Sequence, residues 1–309
     1  MAVLIDGKAL AQRIREQTAA EAALLPRKPG LAVVLVGDDP ASRTYVTSKE
    51  RDCAQCGFIS REYKYDASVT QEELRSLIAR LNADAEIDGI LVQLPLPESI
   101  DEDAIIEAIS PEKDVDAFHP VNVGRIVTGK PVLLPCTPAG IMEMFRAYDI
   151  SLDGKLCVMV GRSNIVGKPM AMLMLRANGT VVCCHSHTPE LAVLTRQADV
   201  IVVAAGHKRL ITADMVKPGA VVIDVAMNRD PETGKFTGDV CFDEVSEKAG
   251  YITPVPGGVG PMTRAMLMRN ILAAARMHIA RELTARRECD INTTAGAYPA
   301  LYGELPKRS

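Results

Sequence analysis

The chain contains no tryptophan, and aromatic residues of all kinds make up only 4% of its 309 residues. Its core therefore has to be assembled from Val, Ile, Leu, Ala and Met. A basic excess is missing as well. The formal net charge is −4, which leaves no electrostatic footprint for nucleic acid or an anionic membrane. No apolar run approaches the roughly 18–20 residues of a membrane span. The opening stretch MAVLIDGKALAQRIREQ sets Asp6 and Lys8 among its apolar residues and has no signal-peptide layout. A cytoplasmic location is expected, with neither nucleic acid nor membrane as a partner. Internal repeats and low-complexity segments are absent too.

Cysteine is not scarce: there are eight, at 53, 56, 136, 157, 183, 184, 241 and 289. A chain of this size without a secretory layout is expected to keep them reduced. Cys53 and Cys56 form a C-x-x-C, the spacing of a zinc knuckle or a redox pair. A zinc site needs further ligands at short spacing, and none of the five histidines lies near this pair in sequence. No metal is expected.

Hydrophobic residues at 48% and charged residues at 24% describe a globular protein long enough for two domains. The first half alternates strand and helix. LAVVLVG (31–37), SREYKYDA (60–67) and DGILVQLPLP (88–97) read as strands, the last stopped by its prolines. Thr70 and Glu73 form a capping box for the helix QEELRSLIARLNA, and a short helix follows at 101–109. A helix beginning at PCTPAGIMEMFRAYDI has Thr137 as its expected N-cap. Strands at 155–161, 180–186, 200–206 and 220–226 then alternate with helices near 167–177 and 190–198. This is an α/β pattern of parallel sheets, with loops gathered at the C-terminal ends of the strands. A long apolar helix from about 263 is expected to cross back to the first domain.

Between the first two strands, on the helix TYVTSKERDCAQCGF, positions 45, 49, 53 and 56 fall within an arc of about 80°. Arg43, Thr47, Glu50, Arg51 and Ala54 lie on the far side. Cys53 and Cys56 thus read as small hydrophobes on a buried stripe. Lys49 is the anomaly, because an ammonium on that stripe either snorkels out or sits in a site. The spacing alone leaves both open.

VGRSNIVGKPM (160–170) lies between a buried strand and a helix, where a Rossmann fold carries its phosphate loop. It is not G-x-G-x-x-G; Gly161 and Gly167 permit the tight turn, and the helix N-terminus attracts phosphate. An NAD enzyme normally ends the next strand with an acid for the ribose 2′-hydroxyl. Here that strand ends CCHSHT. Arg162 and Ser186 without a carboxylate fit a 2′-phosphate, hence NADP.

Taken together, VGDDPASRTYVTSK, DGILVQLPLP, PEKDVDAFHP, LLPCTPAGI, VVGRSNIVGKPM, CHSHT and PVPGGVGPMTRAML resemble the methylenetetrahydrofolate dehydrogenase/methenyltetrahydrofolate cyclohydrolase family. They occur in family order over about residues 1–280. The resemblance implies two parallel-sheet α/β domains flanking a cleft, the second a Rossmann-like NADP-binding domain. It assigns 1–138 to a folate-binding catalytic domain completed by a helix at about 263–285, and 139–262 to the cofactor. Residues 286–309 are expected to form a loosely ordered tail. The implied activity is oxidation of 5,10-methylenetetrahydrofolate to the methenyl cation, then hydrolysis to 10-formyltetrahydrofolate, in a homodimer whose partners are tetrahydrofolate one-carbon derivatives.

By the same resemblance the catalytic set is Lys49, Gln93, Tyr45 and Asp116. Lys49 matches the acid/base lysine of the hydrolytic step, and Gln93 matches the residue that hydrogen-bonds and tunes it. Tyr45 matches the ring that packs on the folate, and Asp116 the carboxylate that binds the pterin edge. Val92, Leu94, Pro256, Gly257 and Gly258 complete the substrate site. Gly161, Arg162, Ser163, Gly167, Ser186 and Met227 match cofactor-contacting positions. His119 is read as holding the DAFHP turn, since Lys49 already supplies the base. Three departures stand out: Ala117 where the family usually has Gly, Ala226 and Met227 in DVAMN, and Cys241 in place of an Asp. Two rivals are a monofunctional NAD(P) dehydrogenase and a folate- or cofactor-binding protein without turnover. The first is disfavoured by Lys49 with Gln93, the second by Lys49 with Asp116.

Overall fold

The computed structural model describes residues 1–229 and 234–296. The elements are, in order, β1 (Val3–Leu4), α1 (Gly7–Ala22), β2 (Gly30–Val36), α2 (Pro40–Gln55), β3 (Ile59–Tyr65), α3 (Gln71–Ala83), β4 (Gly89–Val92), α4 (Glu102–Ala108) and α5 (Pro120–Val127). Next come α6 (Cys136–Ala147), β5 (Leu156–Val160), α7 (Gly167–Arg176), β6 (Thr180–Cys184), α8 (Leu191–Thr195), β7 (Val200–Val203) and β8 (Val221–Asp224). The hairpin β9 (Asn228–Arg229) and β10 (Phe236–Thr237), α9 (Phe242–Lys248), β11 (Tyr251–Ile252) and α10 (Val259–Gly296) complete the chain.

Two sheets result. The first has the order β3-β2-β4 and the second the order β1-β11-β8-β7-β5-β6; every pairing in both is parallel. β2 is buried along its whole length, as a central strand covered on both faces must be. In each sheet the chain places the second strand on one side of the first and the third on the other. The resulting switch points, between β2 and β4 and between β5 and β7, are where ligands of open α/β sheets bind.

One face of each sheet packs against a shared layer of α1, α2, α6 and α10, so a single core runs through both halves. The outer faces have cores of their own, the first built with Leu74, Leu77, Ile78 and Leu81 of α3. The capping box of α3 is formed: Glu73 N donates to Thr70 Oγ1 at 3.3 Å, and Thr70 N donates to Glu73 Oε2 at 2.8 Å.

α10 is anchored to the first sheet by buried charge. Asp88, fully buried, accepts from both terminal nitrogens of Arg27 at 2.7 and 2.8 Å, from Gly30 N at 2.9 Å, and lies 3.0 Å from His278 Nδ1. Burial pushes this carboxyl up, but the hydrogen bonds from His278, Arg27 and Gly30 outweigh it and hold it below the usual range. Arg281 pairs with Glu112 one turn further along.

The structure departs from the sequence reading at several places. β1 joins the second sheet, so residues 3–4 do not sit with the rest of the expected 1–138 unit. The strand expected over 88–97 stops at Val92, and the Leu94–Pro95 peptide is cis. α6 begins at Cys136 with no side-chain cap; the Thr137 hydroxyl instead meets Thr263 Oγ1 at 2.9 Å. α5 was not anticipated; Pro120 fits its first turn, and His119 Nδ1 accepts from Val121 N at 3.1 Å. α10 starts before 263 and continues past 285 to Gly296, into the segment expected to be loose; residues 297–309 of that tail lie outside the described residues.

Candidate active site

α2 starts in the cleft and ends in the core. Its Asp39 side chain caps Ser42 N at 2.7 Å, and Pro40 fits the first turn. Cys53 and Cys56 at the far end are buried, and burial lifts their thiols to about 12 and about 11. Both are protonated packing groups. Among the described residues no cluster of His, Cys, Asp and Glu could hold a metal. The stripe emerges toward its N-terminal end: Lys49 is half-buried and Tyr45 is 43% exposed.

Gln93 directly follows β4, at the switch point of the first sheet. Lys49 Nζ donates to Gln93 Oε1 at 3.0 Å. Gln93 Nε2 donates to Leu94 O at 2.7 Å, which fixes the amide with its oxygen toward the lysine. Val92 is buried at the strand end, beside this pair.

Asp116 lies on a turn built around Asp114. The buried Asp114 carboxylate accepts from His119 N and from Asn122 Nδ2, both at 2.8 Å. Ala117 turns the chain with φ +57°, a left-handed conformation costing an alanine about 1–2 kcal/mol. The Asp116 carboxyl is pushed up by burial, against the opposing charge of Lys49 and a contact from the Cys136 thiol at 3.8 Å. Lys49 and Asp116 are thus within electrostatic reach of each other. The Cys136 thiol is itself driven well up by burial and by Asp116, and is a weak donor here, not a nucleophile.

Pro256, Gly257 and Gly258 form the loop that enters α10. The Val255–Pro256 peptide is cis, Gly257 has φ +110°, and Gly258 N donates to Pro254 O at 2.9 Å. A Cβ on Gly7, the first residue of α1, would collide with the Gly258 carbonyl. The N-terminal segment therefore cradles this loop.

On the opposite wall, Gly161 follows β5 with φ +127°, and a Cβ there would collide with the Ala204 carbonyl. Ser163 Oγ accepts from Val166 N and Gly167 N, each at 3.2 Å, so it shapes the turn from within. Gly167 opens α7 under the Gly161 carbonyl, with no room for a side chain. Arg162 and Ser186 are exposed. After β6, Thr188 Oγ1 accepts from His185 N at 2.9 Å and His185 Nδ1 accepts from His187 N at 3.2 Å, leaving no carboxylate at the strand end. Met227, 44% exposed, follows β8. This glycine-shaped turn with an arginine and no acid fits a dinucleotide carrying a 2′-phosphate. A cavity of about 560 Å³ joins the two walls, lined by Leu94 and Phe118 on one side and Asn164, Ile165 and Lys168 on the other.

Sequence reasoning passed over Gly7, Asn122, Cys136 and Asn270. The last donates from α10 to Val115 O and Leu134 O. The one usable signal was Asn270 itself, a polar residue on the apolar stripe of α10.

Comparison with known proteins agrees with this architecture. Residues 5–116 match the tetrahydrofolate dehydrogenase/cyclohydrolase catalytic domain, and residues 135–279 match the NAD(P)-binding domain of the same family. The chain is 57% identical over 277 residues to the bifunctional protein FolD of Burkholderia multivorans, covering 89% of this chain and 97% of that one. Among solved structures, the bifunctional FolD methylenetetrahydrofolate dehydrogenase/cyclohydrolase of Campylobacter jejuni superposes with a TM-score of 0.88 at 51% identity, over 89% of this chain and 99% of that one. The Trypanosoma brucei dehydrogenase-cyclohydrolase, solved with NADP and an inhibitor, gives 0.87 at 41% identity over 90% and 98%. With matching domains in the same order and relatives aligned nearly end to end, the chain belongs to the tetrahydrofolate dehydrogenase/cyclohydrolase family.

Proposed function

We propose that the cleft between the two switch points carries both reactions of this family, with Lys49, Gln93, Tyr45 and Asp116 as the groups that touch the folate. The enzyme oxidises 5,10-methylenetetrahydrofolate to 5,10-methenyltetrahydrofolate and hydrolyses the product to 10-formyltetrahydrofolate. The observation that carries the residue assignment is the Lys49–Gln93 hydrogen bond of 3.0 Å at the end of β4, with Asp116 in reach of the same amine.

In this reading Asp116 takes paired hydrogen bonds from the pterin edge and fixes its orientation. The exposed ring of Tyr45, one turn before Lys49, stacks on the folate. Val92 and Leu94 flank Gln93 and complete the substrate site, and the Pro256–Gly258 loop lets main chain approach the bound ring. NADP, when bound, supplies the hydride acceptor, and Gly161, Arg162, Ser163, Gly167, Ser186 and Met227 are the residues that would hold it. Lys49 then moves protons between water and the departing ring nitrogen. Gln93 Oε1 sets the direction of that amine. Residues 1–138, apart from β1, with the helix over about 263–285 form the folate half, and 139–262 with β1 the cofactor half.

A homodimer, implied by the family, is supported by the outer strand β6: among the described residues no strand pairs with its outer edge, TVVCC, and exposed Leu175 of α7 lies in the neighbouring helix. A single-chain mass in sedimentation velocity would reject it. The activity is tested by following cofactor reduction with methylenetetrahydrofolate, with NADP and with NAD, together with the decay of added methenyltetrahydrofolate. The expected result is turnover of both folates and preference for NADP. Cofactor reduction without methenyl decay would reduce the protein to a dehydrogenase.

A further inference from the structure

α10 turns an apolar face to the core, with Met266, Leu267, Met268, Ile271 and Leu272 all buried. Asn270 interrupts that face at 7% exposure. Its side-chain nitrogen donates to two carbonyls far apart in sequence, Val115 O at 2.7 Å and Leu134 O at 2.8 Å, and lies 3.6 Å from Cys136 Sγ. A buried amide carries a desolvation cost that an apolar residue would avoid, so packing alone does not account for it.

The Val115 carbonyl belongs to the peptide plane that ends at the Asp116 nitrogen. It also receives the Cys136 thiol at 3.5 Å. Holding that plane restricts the φ rotation of Asp116, and with it the direction of its side chain. The other end of the turn is held by Asp114, and between the two sits Ala117 in its disfavoured left-handed conformation. Leu134 O adds the segment that enters α6, and α10 itself starts directly after the Pro256–Gly258 loop.

We propose that Asn270 is a positioning residue for folate binding, bracing the Asp116 turn against α10 so that the carboxylate meets the pterin edge; this rests on the assignment of Asp116 above. The brace acts on the folate and not on the cofactor, whose turn lies on the other wall.

The test uses the full chain with Asn270→Ala and with Asn270→Ser, which retains one donor, each alone and combined with Asp116→Ala. The KM for methylenetetrahydrofolate is expected to rise about tenfold in Asn270→Ala, the effect of losing a well-made hydrogen bond in the site, and less in Asn270→Ser. NADP affinity and kcat should stay within about twofold. In the Asp116→Ala background neither substitution should raise the KM further, because residues acting through one another are non-additive. An additive rise in the double variants, or equal loss of folate and NADP affinity, would overturn the brace. If Asp116→Ala raises the KM while the Asn270 variants do not, the brace fails and the role of Asp116 stands. If Asp116→Ala leaves the KM unchanged, both fail. Should Asn270→Ala not fold, the serine variant carries the same comparison.

Discussion

At the end of β4, Lys49 and Gln93 meet through their side chains, and the Lys49 charge opposes the upward push of burial on the Asp116 carboxyl. At the end of β5 the corresponding turn is made by main chain: Gly161 in a conformation closed to other residues, Gly167 with no space for a Cβ, and Ser163 bonded into its own loop. Both turns occupy the same topological place in sheets of the same local strand order. In the proposed assignment the folate wall presents chemistry, and the cofactor wall presents shape, with Arg162 in the turn itself and Lys168 on the helix behind it. A wall that reacts needs groups that move protons, whereas a wall that only holds a ligand needs donors and room.

The comparison is sharpened most by Arg162, the charge in the turn on the wall of shape. Arg162→Ala should weaken NADP by about 1.5–3 kcal/mol, the range of a hydrogen bond to a charged group, and change NAD use little. Isothermal titration with both cofactors reads this directly, and equal losses would remove the 2′-phosphate assignment.

A second contrast concerns the acids behind each wall. Asp224 at the end of β8 is 3% exposed, and burial lifts its carboxyl to about 6 despite hydrogen bonds from Ala226 N, Asp239 N and Val240 N. A carboxyl raised in the folded state contributes stability at low pH that is lost as pH rises from the unfolded value through the folded one. Replacement by Asn removes that term. The stability of the wild type relative to Asp224→Asn, measured by urea unfolding, should therefore fall by about 2 kcal/mol between about pH 4 and pH 7. A constant difference would show that Asp224 is ionised throughout.

The smallest effect is expected on the folate wall. Ala117→Gly relieves the left-handed strain next to Asp116 and should stabilise the protein by about 1 kcal/mol. A loss of thermal stability would mean that the turn depends on the alanine methyl group.

The two walls also differed in how much of them the sequence disclosed. Lys49 was visible as a charge on an apolar stripe, and the cofactor turn as two glycines between a strand and a helix. Both are local signals, carried by neighbouring residues. Asn270 and Gly7 were not visible, because each acts on a residue more than a hundred positions away, Val115 and Gly258; Cys136 escaped because its contact with Asp116, twenty positions back, crosses the separate helix α5. β1 escaped for a related reason: its two residues have no periodicity of their own and become a strand only by pairing with β11. The extent of α10 was missed because its charged C-terminal half lost the apolar pattern that marked its start.

The claim that the folate wall carries the proton chemistry is tested most directly at Lys49. Lys49→Met keeps the length and apolar fit of the side chain and removes only the amine. The measurement is the decay of added methenyltetrahydrofolate, with NADP affinity determined on the same preparation. Hydrolysis should fall by about 10²–10⁴-fold, the usual contribution of a positioned acid or base, while NADP binding is unchanged. Hydrolysis at the wild-type rate would make Lys49 a binding group and contradict the account.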